Sequence, residues 1–376
     1  MDNILLVANY ESDVGYAWWL MENYWVAIAN YFSRKGCQTI LIYPKINSIP
    51  DNIARSNIKI IEHDYSDWSK NSQQKLKNIL QSNSIKHVYF TDKEYYSLKY
   101  FKLRTWGIKR IIIHDHKPGE RPYVFGIKRI LKNTIHRLGI FSADLYIGVS
   151  YFVYLRMLNN ACLPPNLCAY VLNGIQPIEI KKEDEKYVNK TFHLPDSAKI
   201  IVSTGRASKY KGIDFLIECA KIILDNDPNG IIYFLHCGDG PDLQHFKHNV
   251  EKKGLTGRFI FAGKRNDVRK ILPSCHIGIQ ASLGEAFSLS ILEYLSAGLA
   301  TIIPDNCGNR EAVMDGETGY LYTPGNHKYV INTIKKLLLD ENCRRIIGTK
   351  ARESVAKKFT IDRANKELTL LLDKYF

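Results

Sequence analysis

The chain is poor in the features that mark stapled, metal-bound or membrane-spanning proteins. Its eight cysteines, from Cys37 to Cys343, form no Cys-x-x-Cys pair, which argues against a zinc site and a disulfide framework and for reduced thiols. No run approaches the roughly 18 uninterrupted apolar residues of a spanning helix. The opening apolar run, Ile4–Ala8, is too short for a signal peptide and lacks its basic flank, so the mature chain is expected to start at Met1, in the cytoplasm. There is no internal repeat and no low-complexity tract. No helix-turn-helix, zinc-finger or RNA-recognition signature is present either, so a basic nucleic-acid-binding protein is a weak alternative and no nucleic-acid partner is expected.

What is present describes a folded chain of two domains. The length is 376 residues, against about 150 per domain, with 45% hydrophobic and 24% charged residues. The net charge is +14 and is unevenly placed. Residues 1–178 hold 22 Lys/Arg against 13 Asp/Glu, and the segment 99–137 alone holds 11 against 2. The whole excess of the first half lies in that segment.

Apolar runs alternate with helical periodicity throughout. Ile4–Ala8 reads as a strand, Asp13–Gly15 as a turn, Trp18–Lys35 as an amphipathic helix closed by Gly36, and Thr39–Tyr43 as a second strand. Further strands are expected at Ile58–Ile61, His87–Phe90, Arg110–His114 and Ala143–Ser150. After the charged stretch Lys181–Thr191 a second series begins, at Lys199–Ser203, Ile231–His236, Phe259–Phe261, His276–Gln280 and Ala300–Pro304. Such alternation predicts α/β domains with parallel sheets. The expected division is a Rossmann-like domain over 1–178, a linker over 179–198, a second Rossmann-like domain over 199–358, and a C-terminal helix over 359–376 that packs back towards the first. Two doubly wound domains facing each other would place a ligand cleft at the carboxyl ends of their strands.

Four polar, glycine-bearing loops follow strands of the second series. Ser203-Thr204-Gly205-Arg206 leads to Lys209, Lys211 and Gly212 before a helix; cations beside free helix amides suit a diphosphate. Gly238-Asp239-Gly240-Pro241 and Gly308-Asn309-Arg310-Glu311 are turns at the same sheet edge. In Gly284-Glu285-Ala286-Phe287-Ser288-Leu289-Ser290-Ile291-Leu292-Glu293, the two carboxylates would share a face if the helix began at once. An exposed basic loop and two solvated carboxylates are the ordinary alternatives. Asp239 and Asp242 are separated by two residues, one more than in the Asp-x-Asp triplet that holds a divalent metal against a nucleotide diphosphate, so no metal ligand is assigned.

The order of these motifs resembles the retaining family 4 glycosyltransferases, of GT-B architecture. The matching run is Gly205-Arg206, Lys211-Gly212, Gly238-Asp239-Gly240-Pro241, Phe261-Ala262-Gly263, Glu285 with Glu293, Ala297-Gly298, Asn309-Arg310-Glu311 and Thr318-Gly319. In the first half Gly15, His114-Asp115, Asp144 to Ser150 and Asn173-Gly174 look like the corresponding places. The resemblance implies a glycosyltransferase that moves a sugar from a nucleotide-diphosphate sugar to a glycan or lipid-linked acceptor, with retention, and without a metal or another cofactor. The expected setting is bacterial surface polysaccharide, such as O-antigen, capsule or exopolysaccharide.

It also implies roles. Arg206 and Lys211 would grip the diphosphate, and Glu293 would accept from the ribose hydroxyls. Glu285 would meet hydroxyls of the sugar, the segment around Phe287, Ser288 and Leu289 would touch the phosphates, and Gly238 would line the site. Gly15 would let the first loop approach the diphosphate, although Tyr16, Trp18 and Trp19 crowd that loop. Ser288 stands where a glycine is common. His114 would position the sugar and stabilise charge. An epimerase or phosphorylase on the same fold, or a silent sugar-nucleotide binder, is the alternative, since fold alone does not fix function.

Ile127–Leu138 places Ile127, Ile130, Leu131, Ile135 and Leu138 at helical spacing, with Lys128, Arg129, Lys132 and His136 mostly elsewhere. With Lys99, Lys102, Arg104, Lys109 and Arg110 nearby, the segment 99–137 is read as a candidate contact for an anionic membrane surface or a lipid pyrophosphate acceptor. The alternative is an ordinary helix with its apolar stripe packed on the core.

Overall fold

A computed structural model of the chain describes residues 2–15 and 18–376; Tyr16, assigned above to the crowded first loop, lies outside them. The chain divides into two compact units, Met1–Asn173 with Ile361–Phe376, and Gly174–Thr360. Each is a fully parallel sheet with helices on its faces.

The first sheet contains β1 (Asn3–Val7), β2 (Thr39–Tyr43), β3 (Lys59–Glu62), β4 (Ile85–Thr91), β5 (Arg110–Asp115), β6 (Leu145–Gly148) and β7 (Cys168–Tyr170), in the order β3-β2-β1-β4-β5-β6-β7. The central strands are continuous apolar runs because a parallel strand is covered on both faces. Leu5 of β1 lies opposite Ile40 on one side and Val88 on the other. The helix Trp18–Arg34 turns Met21, Tyr24, Trp25, Ile28 and Phe32 into the core at helical spacing. Gly36, at φ +71°, reverses the chain after it.

The C-terminal helix Ile361–Asp373 belongs to this unit. It buries Ala364, Leu368 and Leu372, and the Phe376 ring meets Phe32 at 5.2 Å and His87 at 4.6 Å. Arg363 donates to the Leu172 carbonyl at 2.9 Å.

The second sheet contains β8 (Lys199–Thr204), β9 (Ile232–Cys237), β10 (Phe259–Gly263), β11 (Ile277–Ile279), β12 (Ala300–Pro304) and β13 (Tyr320–Tyr322), in the order β10-β9-β8-β11-β12-β13. One face packs Ile201, Ile217, Phe234, Ile277, Ile302 and Ile334. The other packs Ile200, Val202, Ile271 and Tyr294 together with Ile178 and Val188. The stretch 179–198, expected as a linker, is therefore part of the second unit: Val188, in a short helix Tyr187–Thr191, is buried in that core, and its amide donates to Ser274 Oγ. Its surface charge hid the few apolar residues that anchor it.

In both sheets the strand order reverses beside the first strand, between β1 and β4 and between β8 and β11. The crevice outside the carboxyl ends at such a reversal is where open α/β sheets hold ligands.

Leu372→Ala is expected to destabilise the protein by about 2–5 kcal/mol, since it opens a cavity in a fully buried position. Asp373→Ala, which removes only the half-exposed partner of Lys35 at 2.8 Å, is expected to leave the unfolding midpoint close to that of the wild type, because water screens an exposed pair. Urea unfolding of the two variants checks the contrast.

Candidate functional site

At the reversal of the second sheet, the loops after β8 and β11 are built against each other. β8 ends at Thr204, whose amide donates to the Tyr294 hydroxyl at 2.5 Å. The chain then runs through Gly205 and Arg206 to a turn, Lys209–Lys211, and enters the helix Ile213–Asp225 through Gly212. Gly212 has φ +67°, and a Cβ there would sit 2.0 Å from the Ala281 carbonyl oxygen, just past β11. Only glycine permits both the backbone conformation and the approach. The Leu283 amide donates to the Tyr210 carbonyl at 2.9 Å, and the Tyr210 hydroxyl donates to the Gly284 carbonyl.

These contacts bring Lys211 Nζ to 2.5 Å from Glu285 Oε1, with both side chains partly open to solvent. The far side of Glu285 is held by the turn after β12. Gly308 donates to the Glu285 carbonyl at 3.0 Å, and a Cβ on Gly308 would meet the Ala286 carbonyl oxygen at 1.7 Å. Asn306 Nδ2 reaches the carbonyls of Ser282 and Leu283. The turn after β9 locks the other flank: Ala207 N–H donates to Asp239 O at 2.9 Å, Asp242 N–H to Ala207 O at 3.0 Å, and Lys209 N–H to Asp242 Oδ2 at 2.9 Å. Arg206 is exposed at the same edge, and Gly238 donates to Gly263 at 2.8 Å. Lys211, Glu285, Arg206 and Gly238 thus lie on loops at one edge of the second unit.

Glu285 and Glu293 do not share a helical face. The helix runs Leu289–Ser296, so Glu285 lies before it in a turn and only Glu293 is on it. The segment Gly284–Ser288 is held as a turn by its contacts to Tyr210 and Gly308, which prevent an earlier helix start. Ser288 does not cap that helix with its side chain. Its Oγ is buried and accepts from Gln280 Nε2 at 3.1 Å, so the hydroxyl turns inward and leaves its surroundings uncrowded. Phe287 is buried against Phe359, ring centroids 5.6 Å apart, and serves packing. Leu289 is the first helical residue. Burial pushes the Glu293 carboxyl up to about 7, opposed by the charge of Arg269.

The chain's one Asp-x-Asp triplet, Asp225-Asn226-Asp227, begins at the last residue of the Ile213–Asp225 helix. Asp225 pairs with Lys221 at 2.6 Å, and Asp227 accepts from the Ile232 amide and from Arg258. Both carboxylates serve the fold.

The first unit gathers polar groups at its own reversal. His114, next to last in β5, is fully buried, with Nδ1 2.5 Å from the Tyr89 hydroxyl. Burial holds its pKa well below the ordinary value, helped by His116, so the imidazole is neutral at physiological pH. His116, ring centroid 4.2 Å from that of His114, is lowered by burial to about 3. The expected charge-stabilising role of His114 is therefore limited to that of an uncharged hydrogen-bonding group. Nε2 of both histidines, Thr91 Oγ1 and Asn9 Oδ1 are buried without a hydrogen-bond partner. All four belong to the ends of β1, β4 and β5.

The sequence reading did not find what holds this loop. Arg156, buried on the helix Tyr151–Asn159, donates to Asp115 Oδ2 at 3.0 Å, to Lys117 O at 2.8 Å, and to Gly119 O. The Tyr95 hydroxyl also donates to Asp115. Asp92, at φ +57°, accepts from the His116 amide at 2.6 Å, and burial plus the charge of Asp115 raises its carboxyl to about 7. A lone arginine among apolar helix residues was the available signal. Gly15, at φ +72°, is exposed and accepts from the Trp18 amide at 3.3 Å.

The family model of glycosyl transferases group 1 matches residues 185–354. Among curated proteins, N-acetyl-alpha-D-glucosaminyl L-malate synthase of Bacillus anthracis is 28% identical over 232 residues, 61% of this chain and 60% of that one. The alignments to the first curated relatives span about half to three-fifths of those proteins' length. Among solved structures, a glycosyltransferase from Rickettsia africae superposes with a TM-score of 0.79 at 17% identity, covering 99% of this chain and 98% of that one. Anabaena Alr3699/HepE, in complex with UDP-glucose, superposes with a TM-score of 0.77 at 16% identity over the whole of both chains. Two parallel-sheet units of this strand order and the likeness to these structures give the GT-B fold, and the match over residues 185–354 shows that the second unit is similar to the glycosyl transferases group 1.

Proposed function

We propose that the protein is a retaining glycosyltransferase of family 4, which moves a sugar from a nucleotide-diphosphate sugar to a hydroxyl of a glycan or lipid-linked oligosaccharide. The observation that carries this reading is the 2.5 Å approach of Lys211 to Glu285 at the strand-order reversal. A cation and a carboxylate side by side match a donor in which a diphosphate adjoins the hydroxyls of a sugar. Lys211, joined by exposed Arg206, takes the phosphate charge, and Glu285 accepts from sugar hydroxyls. Glu293 accepts from the ribose. The backbone around Ser288 and Leu289 offers the first amides of a helix to a phosphate oxygen.

In the reaction, the bond from the sugar's anomeric carbon to the diphosphate oxygen breaks, and the acceptor oxygen bonds that carbon on the same face. The acceptor's proton passes to the departing diphosphate, whose growing charge Arg206 and Lys211 stabilise. On this reading the two side chains do what a divalent metal does elsewhere. Neutral His114 positions a sugar hydroxyl through Nε2. The buried, unpartnered atoms of Asn9, Thr91 and His116 offer further contacts to a hydroxyl-rich ligand. Surface-polysaccharide synthesis as the setting rests on the family resemblance.

Two measurements test this. With UDP-glucose as probe, Arg206→Ala with Lys211→Ala is expected to abolish the ligand-induced rise in melting temperature and to lower kcat by at least about 100-fold, with the ligand-free melting temperature little changed. Unaltered turnover and affinity would remove the basis of the proposal. Because burial pushes the Glu293 carboxyl up to about 7 and it would bind hydroxyls as the carboxylate, UDP-glucose affinity should rise by about ten-fold between pH 6 and pH 8. Glu293→Gln should flatten that profile; calorimetry across the range decides.

A further inference from the structure

The helix Gly126–Leu138 is mounted inside out. An amphipathic helix on a globular domain ordinarily turns its apolar stripe to the core. Here the polar side does the packing: Arg129 Nη1 donates to the Asn159 carbonyl at 3.1 Å, Asn133 Nδ2 to the Cys162 carbonyl at 3.4 Å, and His136, the helix's one buried residue, lies 3.2 Å from Ser142 Oγ. The opposite face, Ile127, Ile130, Leu131 and Leu138 at helical spacing, is 76%, 67%, 57% and 59% exposed. Phe125, just before the helix, is 76% exposed. The reading of this segment as an ordinary helix packed by its apolar stripe is overturned: among the described residues Ile135 alone of that stripe is half-buried, and the other four are exposed.

We infer that this face docks on an anionic lipid bilayer, entering the headgroup layer with the helix axis in the membrane plane. The argument for a bilayer over a second protein surface is the charge around the stripe. Lys128 and Lys132 flank it on one side and Arg137 on the other, and no carboxylate occurs from Arg121 to Ala143. A second copy would bring the same cations face to face, whereas acidic headgroups neutralise them. An apolar stripe rimmed by Lys and Arg is the composition that holds a helix in the interface plane. No helix of the described residues is long and apolar enough to cross a membrane, so contact would be from one side. The adjoining helix Leu98–Thr105 adds exposed Leu98 and Phe101 beside Lys99 and Lys102. Through the Ser97 amide to Phe141 carbonyl bond at 2.8 Å it is tied to the segment that follows Leu138.

The experiment is vesicle co-sedimentation of the full chain, which reads binding and is independent of turnover. The protein is expected to pellet with phosphatidylcholine vesicles containing phosphatidylglycerol at low salt, to be released by high salt, and to stay in solution with phosphatidylcholine alone. Lys128→Gln with Lys132→Gln should weaken partitioning by roughly 30-fold, each surface charge contributing about five-fold. Ile130→Ser with Leu131→Ser should weaken it by about ten-fold or more. Both positions are more than half exposed, so the melting temperature should not fall. Failure of the wild-type chain to bind anionic vesicles, or wild-type binding by the serine variant, overturns the inference. So does a concentration-dependent dimer in light scattering that the serine variant abolishes, since a second copy would then own the face.

Discussion

Lys211 and Glu285 stand 2.5 Å apart, and holding them there dictates much of the second unit's loop architecture. Neither residue is on regular structure that would fix it alone. Lys211 closes a three-residue turn and Glu285 lies in a turn before a helix. Their spacing is set by backbone contacts between neighbouring loops, through Gly212 against Ala281 and Gly308 against Ala286. Carbonyl oxygens occupy the space that a Cβ would need, so a side chain at either glycine would push the loops apart. A pair this close has little freedom to reorganise when a charged ligand arrives, and such preorganisation is what electrostatic stabilisation of a transition state requires.

The first unit solves a different problem at the equivalent edge. Its polar groups are deeply buried, and burial disfavours the charged form of each. His114 and His116 are held neutral, and Asp92 is raised towards neutrality. Asp115 lies among them, where the Arg156 guanidinium meets it at 3.0 Å while Tyr95 and the Lys117 amide also donate to it. One compensated charge therefore fixes the loop from Asp115 to Gly119, and the uncharged groups around it remain able to donate or accept. A rim of this kind suits hydroxyls, which need hydrogen bonds of both senses, better than it suits phosphates.

The elements visible in the sequence were those whose physics is local. Ile4–Ala8 and Thr39–Tyr43 announced buried parallel strands because both faces of such a strand must be apolar, and Gly212 or Gly308 announced turns because few other residues tolerate them. What escaped the sequence depends on partners distant along the chain. The three-residue strands β7 and β13 are too short to show periodicity. Val188 reads as a lone apolar residue in a charged stretch until the sheet is there to cover it. Arg156 reaches Asp115 across 41 positions, and Tyr294 reaches Thr204 across 90. The eight-residue spacing of Glu285 and Glu293 misled for the same reason: the helix start is set by the Gly308 loop and not by the intervening residues. The candidate site was thus legible in its residue types and strand-end positions, and illegible in its geometry.

The surface helix shows how one periodic pattern admits two opposite mountings. Spacing alone says that Ile127, Ile130, Leu131 and Leu138 share a face; it does not say which way that face points. The decision lies in the partners available on the domain. Where the helix lands, the domain presents the Asn159 and Cys162 carbonyls and the Ser142 hydroxyl, which reward Arg129, Asn133 and His136 and would be left without partners beneath an apolar stripe. Buried polar groups without hydrogen bonds are costly, so the polar face goes down. The apolar face is then exposed as a consequence of how the domain satisfies its own carbonyls. Leaving that much apolar area in water is unfavourable unless another medium covers it, and the cations on either side of the stripe select an anionic one.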